Sequence, residues 1–217
     1  MGKNIGVIVS VAIALVFWTY MFCPVMPNTL PFWHMMTCAA IVLTALSFIL
    51  GRDIWKQKWQ GRKWGTKYIV GQIVLGIALA FVLWGVFWVG DKLSQWVFPS
   101  FARMQVNSIY SIKDGFDPHV VGLLLLLLIG PAEEIFWRGY VQEQLQRSCS
   151  KTWIGALIGI ALYTAIHIPS CNFMLIVAAG VCGVVWGGLY WWKPQWFPAL
   201  LLSHALWDAA VFVWFPI

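Results

Sequence analysis

The sequence predicts an all-α protein: a polytopic transmembrane helical bundle of about seven spans, with a compact four-helix core in its C-terminal half. Three observations carry this. Of 217 residues, 61% are hydrophobic and 10% charged, against about 45–50% and 25% in ordinary soluble domains. The apolar residues fall in runs of about 20, the length a helix needs to cross a bilayer. The basic residues fall mostly between those runs, where they set orientation. So little charge excludes a disordered chain, and 19 Gly and 10 Pro without a period exclude a fibrous one.

The runs lie near 4–22, 31–50, 68–90, 120–147, 152–168, 173–192 and 196–215. The first follows MGKNIG with no small-residue cleavage site behind it, and is expected to be an uncleaved helix. Between the second and third lies a basic block holding Arg52, Lys56, Lys58, Arg62, Lys63 and Lys67 against Asp53. Placing that block in the cytoplasm places Lys3, Arg147, Lys151 and Lys193 there too, ten of the 14 basic residues. The N-terminus is then inside. Trp55, Trp59 and Trp64 alternate with the loop cations, the pattern of an interfacial anchor rather than a nucleic-acid surface. The polar segment 91–119 reads as an extracytoplasmic interfacial helix, or in part as an eighth span. Cys23, Cys38, Cys149, Cys171 and Cys182 form no CxxC pair and read as small apolar residues. The chain divides as a single membrane domain 1–217, with N-terminal spans and interfacial segment over 1–117 and a core over 118–217.

Within the spans stand Glu133, Glu134, Arg138, His167, His204 and Asp208. Each ionisable group at that depth costs about 2.5–3.5 kcal/mol on insertion scales, so these must pair or face a wet cavity. Glu134 and Arg138 are four apart and share a helix face, a spacing suited to a structural ion pair. Glu133 points about 100° away and is left to face something else. At about 1.5 Å per residue from the inner ends, Glu133 lies roughly 21 Å up, His167 roughly 24 Å, His204 and Asp208 roughly 16 and 22 Å. Three helices thus bring titratable groups into one slab. Taken singly, a membrane His serves packing or hydrogen bonding as readily as chemistry. Carboxylates, an Arg and two His brought together from three helices point to a functional site.

Glu133-Glu134-Ile-Phe-Trp-Arg138, Tyr163-Thr-Ala-Ile-His167 and His204-Ala-Leu-Trp-Asp208 occur in that order, with a small-residue stretch from Gly183 to Tyr190 between the last two. Over roughly 118–212 the chain resembles the CAAX protease and bacteriocin-processing (CPBP, or Abi) intramembrane endopeptidases, whose motifs are EExxxR, FxxxH and HxxxN/D. Tyr163 departs from the family's Phe and adds a hydroxyl in need of a partner. The resemblance implies hydrolysis of a peptide bond in a membrane-associated protein or peptide. Glu133 with His167 would activate water, His204 and Asp208 would stabilise the oxyanion, and Glu134 with Arg138 would hold their helix in register. The resemblance implies no cofactor on this glutamic mechanism. Glu133, His167 and His204 also compose a His₂Glu set of the kind zinc uses, the metalloprotease alternative. Two other classes compete: a non-catalytic membrane immunity or binding protein, and a small proton-coupled transporter, the latter lacking paired broken helices in two halves. A prokaryotic plasma membrane is the expected location, a membrane-associated peptide or protein the partner, and nucleic acid is not expected.

Overall fold

The computed structural model describes residues 2–26, 29–60 and 64–217, and the side chains from Asn4 onward. Among the described residues, seven helices are long and apolar enough to cross a membrane: Asn4–Phe22, Phe32–Leu50, Thr66–Val97, Pro118–Ser148, Thr152–Ser170, Phe173–Trp192 and Pro194–Trp214. No strand occurs among those residues. We name the helices α1 (Gly2–Phe22), α2 (Phe32–Leu50), α3 (Arg52–Trp59), α4 (Thr66–Val97), α5 (Pro99–Tyr110), α6 (Pro118–Ser148), α7 (Thr152–Ala165), α8 (Phe173–Trp192) and α9 (Phe197–Ala209). Arg62 and Lys63 of the basic block, and the Lys3 side chain, lie outside the described residues.

Burial ranks the spans. Half of the α6 window is buried, against 17–44% for the others, so α6 is the central helix. It touches α2, α7, α8 and α9, while α4 lies along α9 and α1 along α2. The outward faces are apolar: Ile8, Val16, Ile49, Phe81, Leu127 and Val184 are all at least 60% exposed. In water this would be a liability; in lipid it is the required surface.

The 91–119 segment does not supply an eighth span. Its first residues extend α4 to Val97, making a 32-residue helix of about 48 Å at 1.5 Å per residue. Pro99 then forces a break: it cannot donate a backbone bond, and it pushes Phe98 to φ −135°, ψ 66°. Beyond the break runs α5, 12 residues long and too short to cross. The loop tryptophans are also partly reassigned. Trp59 and Trp64 are 45% and 44% exposed, as an anchor requires, but Trp55 is 4% exposed and donates its indole N–H to the Ser47 carbonyl at 2.9 Å. It is a core residue. Beside it, Lys58 Nζ lies 4.4–5.1 Å from the ring centres of Trp55, Tyr190 and Phe197 and donates to the Tyr190 hydroxyl. That hydroxyl donates in turn to Glu143 at 2.6 Å, fastening α3 to α6 and α8.

The course of α6 is dictated by its sequence. Pro131 has no N–H, so the turn before it loses a donor, and the helix widens to π geometry over Leu125–Ile129; a second π segment follows over Ile135–Gln142. Gly130 lets α9 close on this point. A Cβ there would sit 2.7 Å from Ala205 Cα and 2.9 Å from its nitrogen. Close approach of backbones through small residues is how helices associate where lipid is as apolar as leucine.

Gly130→Ala is therefore expected to lower stability by about 1–3 kcal/mol, the usual cost of overpacking. Gly71→Ala in α4, whose Cβ would meet nothing within 4 Å, is expected to be neutral or slightly stabilising. Thermal unfolding of both variants in the same detergent checks the contrast.

Candidate functional site

The polar groups of the spans meet where α6, α7 and α9 converge. Glu134 is wholly buried and its Oε1 accepts from two basic side chains: Arg138 Nη1 at 2.8 Å, and His204 Nδ1 at 2.9 Å. The first contact is the i,i+4 pair along one helix; the second crosses from α9. Glu134 thus reaches beyond its own helix. His204 Nε2 lies 3.4 Å from Asp208 Oδ2, one helical turn on. The imidazole is clamped flat by Trp186 of α8, stacked at 3.9 Å and 19°, whose indole N–H donates to Ser203. Arg138 is covered by the Tyr163 ring, 4.4 Å from its guanidinium carbon, and its Nη2 reaches the Cys182 carbonyl at 3.4 Å. The guanidinium is thus held by groups from α6, α7 and α8 together.

Helix α7 positions the remaining two residues through the way it ends. Pro169 stops the helix, and the last turn tightens so that the His167 backbone N–H bonds Thr164 instead of Tyr163. The Tyr163 carbonyl is left without its helical donor. The His167 ring takes that donor's place, with Nδ1 at 2.9 Å. A carbonyl can only accept, so Nδ1 carries the hydrogen and Nε2 presents a lone pair. Nε2 is met by the indole N–H of Trp18, on α1, at 3.2 Å. The other end of Tyr163 finds Glu133: its hydroxyl donates to Oε2 at 3.3 Å. The hydroxyl that distinguishes Tyr163 from the expected Phe thus has its partner.

Glu133, Tyr163, His167, His204 and Asp208 all line one cavity of about 880 Å³. Its other walls are mainly apolar, from Trp18 and Phe22 of α1, Trp33 and Met36 of α2, Phe87 of α4, Phe101 of α5, and Cys182 of α8. Asp91 also lines it. The sequence sets Asp91 in an outer polar segment, but it is 8% exposed, with Oδ2 held by Gln95 at 2.5 Å. Trp18 and Trp186 escape sequence reasoning as well, because an indole in an apolar span reads as packing. The signal available is a polar handle lying away from the interfacial belts.

The same geometry bears on zinc. His167 donates from Nδ1 to a carbonyl, and its Nε2 accepts from Trp18. Both nitrogens of His204 face carboxylates. Among the described residues no three His, Cys, Asp or Glu are gathered so as to hold a metal ion, and Glu133, His167 and His204 as placed do not form a His₂Glu ligand set.

Residues 115–210 match the family model described as "Type II CAAX prenyl endopeptidase Rce1-like". The matched segment takes in α6 through α9, and so Glu133, Glu134, Arg138, His167, His204 and Asp208; α1, α2, α4 and α5 lie outside it. None of the curated proteins and none of the solved structures matches the chain.

Arg138→Leu leaves the Glu134 carboxylate buried without its cation and is expected to cost about 3–5 kcal/mol. Removing both charges, as Glu134→Leu with Arg138→Leu, is expected to recover part of that loss. Thermal unfolding of the two variants in detergent measures it.

Proposed function

We propose, on the premise that residues 115–210 are an Rce1-like CAAX endopeptidase segment in an integral membrane protein, that the chain is an intramembrane endopeptidase. It would cut a peptide bond in a membrane-associated protein or peptide by a glutamic, metal-free mechanism. The observation that carries this reading is one cavity that Glu133, His167, His204 and Asp208 all line while the rest of its lining is largely apolar.

Glu133 is the group for water activation. Unlike Glu134 and Asp208 it makes no ion pair among the described residues, and the Tyr163 hydroxyl bonds it at a long 3.3 Å. A water beside it gives up a proton as its oxygen attacks the scissile carbonyl carbon. The proton then passes to the leaving nitrogen as the C–N bond breaks. His167 shares in binding that water through Nε2, with Nδ1 anchored to keep the ring in place. His204 supplies the donor for the oxyanion. Glu134 accepts from Nδ1 at 2.9 Å, so Nε2 can donate to the developing charge when the ring, set between the Glu134 and Asp208 carboxylates, is the imidazolium with hydrogen on both nitrogens; its 3.4 Å contact to Asp208 is the looser of the two. Asp208 orients that ring. An apolar cavity strengthens each of these interactions by keeping bulk water away.

The basic residues support an orientation with the N-terminus and the α2–α4 loop in the cytoplasm, and a prokaryotic plasma membrane as the setting.

Glu133→Gln or His167→Ala is expected to lower cleavage by about 10²–10⁴-fold with the protein still folded, scored by mass spectrometry of peptides released in proteoliposomes. Full activity in Glu133→Gln would refute the assignment. Activity is also expected to survive purification and assay in strong chelator. Loss that only added zinc restores would favour the metalloprotease alternative.

A further inference from the structure

The proteolytic reading needs a free lone pair on His167, and that lone pair is engaged. Trp18 donates to Nε2 at 3.2 Å across 149 residues of sequence, with the indole 2% and the imidazole 7% exposed. The two rings meet edge to face at 6.0 Å and 81°, and Phe22, one turn further along α1, tilts against the same imidazole at 6.2 Å. An indole nitrogen has only a donor to offer and an imidazole has one lone pair. With Nδ1 committed to the Tyr163 carbonyl, Nε2 is the nitrogen left to hold a water, and the indole N–H occupies the place where the water's hydrogen would point.

We propose that Trp18 caps the catalytic site in the substrate-free protein. Its N–H stands in for the water that His167 must bind, and the two exchange when substrate fills the cavity that Trp18 and Phe22 also line. The cap rests on the proteolytic reading for its purpose, but not for its existence. It also assigns a task to α1, which lies outside the family-matched segment. α1 brings to the site a residue that the motifs do not contain. The helix is tied at its cytoplasmic end by Ser148 donating to Asn4 at 2.7 Å. Near Trp18 its contacts with His167 are this one hydrogen bond and aromatic edges, so the exchange breaks one neutral bond and no ion pair.

Trp18→Phe keeps an aromatic ring and removes the N–H, which gives two readouts. In the first, nitrogen NMR of histidine-labelled protein in detergent, with His167→Gln marking the signals, needs no substrate. The unaltered protein is expected to show His167 with hydrogen on Nδ1 and a hydrogen-bonded, bare Nε2. In Trp18→Phe the Nε2 signal should move to that of a bare nitrogen without a donor, while Nδ1 stays. Hydrogen on Nε2 in the unaltered protein would overturn the cap even if the variant failed to fold, and so would an Nε2 signal indifferent to the substitution. In the second, breaking a neutral hydrogen bond costs enough that its removal should raise kcat/KM about three- to tenfold. An unchanged or lower value would overturn the cap. If the unaltered protein cleaves nothing, the proteolytic reading falls and the spectrum still decides the cap.

Discussion

One carboxylate oxygen organises the interior of this bundle. Glu134 Oε1 holds Arg138 along α6 and His204 across to α9, with the carboxylate wholly buried. Three ionisable groups left singly at that depth would each be costly; joined, they become the bond between the two helices that form the site. The local packing serves to keep them joined. Gly130 must be small so that α6 and α9 approach within backbone contact. Trp186 must lie flat on His204, and Tyr163 over Arg138, because a buried cation needs aromatic faces or carbonyls wherever carboxylate is absent. Moving one of these groups exposes another.

A second constraint comes from a helix end. Because Pro169 terminates α7, the Tyr163 carbonyl goes without its backbone donor, and the His167 side chain takes the position. A defect of helix geometry thereby becomes a device that selects the imidazole tautomer. Tyr163 reaches both sides of the site, carbonyl to His167 and hydroxyl to Glu133. That bridge aligns the candidate base and its neighbour without a charge between them. The cavity in front is apolar almost throughout, so each polar group placed in it acts in surroundings that screen little.

The spans can be read from the sequence with boundaries off by at most two residues, except at the end of the third, where α4 runs seven further, since mean hydropathy over about 20 residues reports a property of each segment alone. The candidate residues stand out for the same reason: a Glu, His or Asp inside an apolar run is conspicuous. Their partners are not. Arg138 is visible as a neighbour of Glu134 because i,i+4 spacing is local, whereas His204 as its second partner is 70 residues away. Asp91 sorts with the polar outer segment because its neighbours in sequence are polar, yet α4 runs on past it and carries it into the cavity wall. Trp55 resembles an anchor among lysines, and its burial depends on α3 turning back beneath α2.

By itself the sequence determined the all-helical membrane class, the order of seven apolar spans, and which few side chains stand where lipid would reject them, while leaving an eighth span open. These are consequences of composition and of periodicity along one helix, and need no knowledge of neighbours. Tertiary structure alone decided that Glu134 rather than Glu133 would hold His204, that Trp18 would reach His167 from the far end of the chain, and that one cavity would gather the rest. Those outcomes turn on how helices pack, and packing in lipid is set by the close approach of small residues and the pairing of buried polar groups between helices.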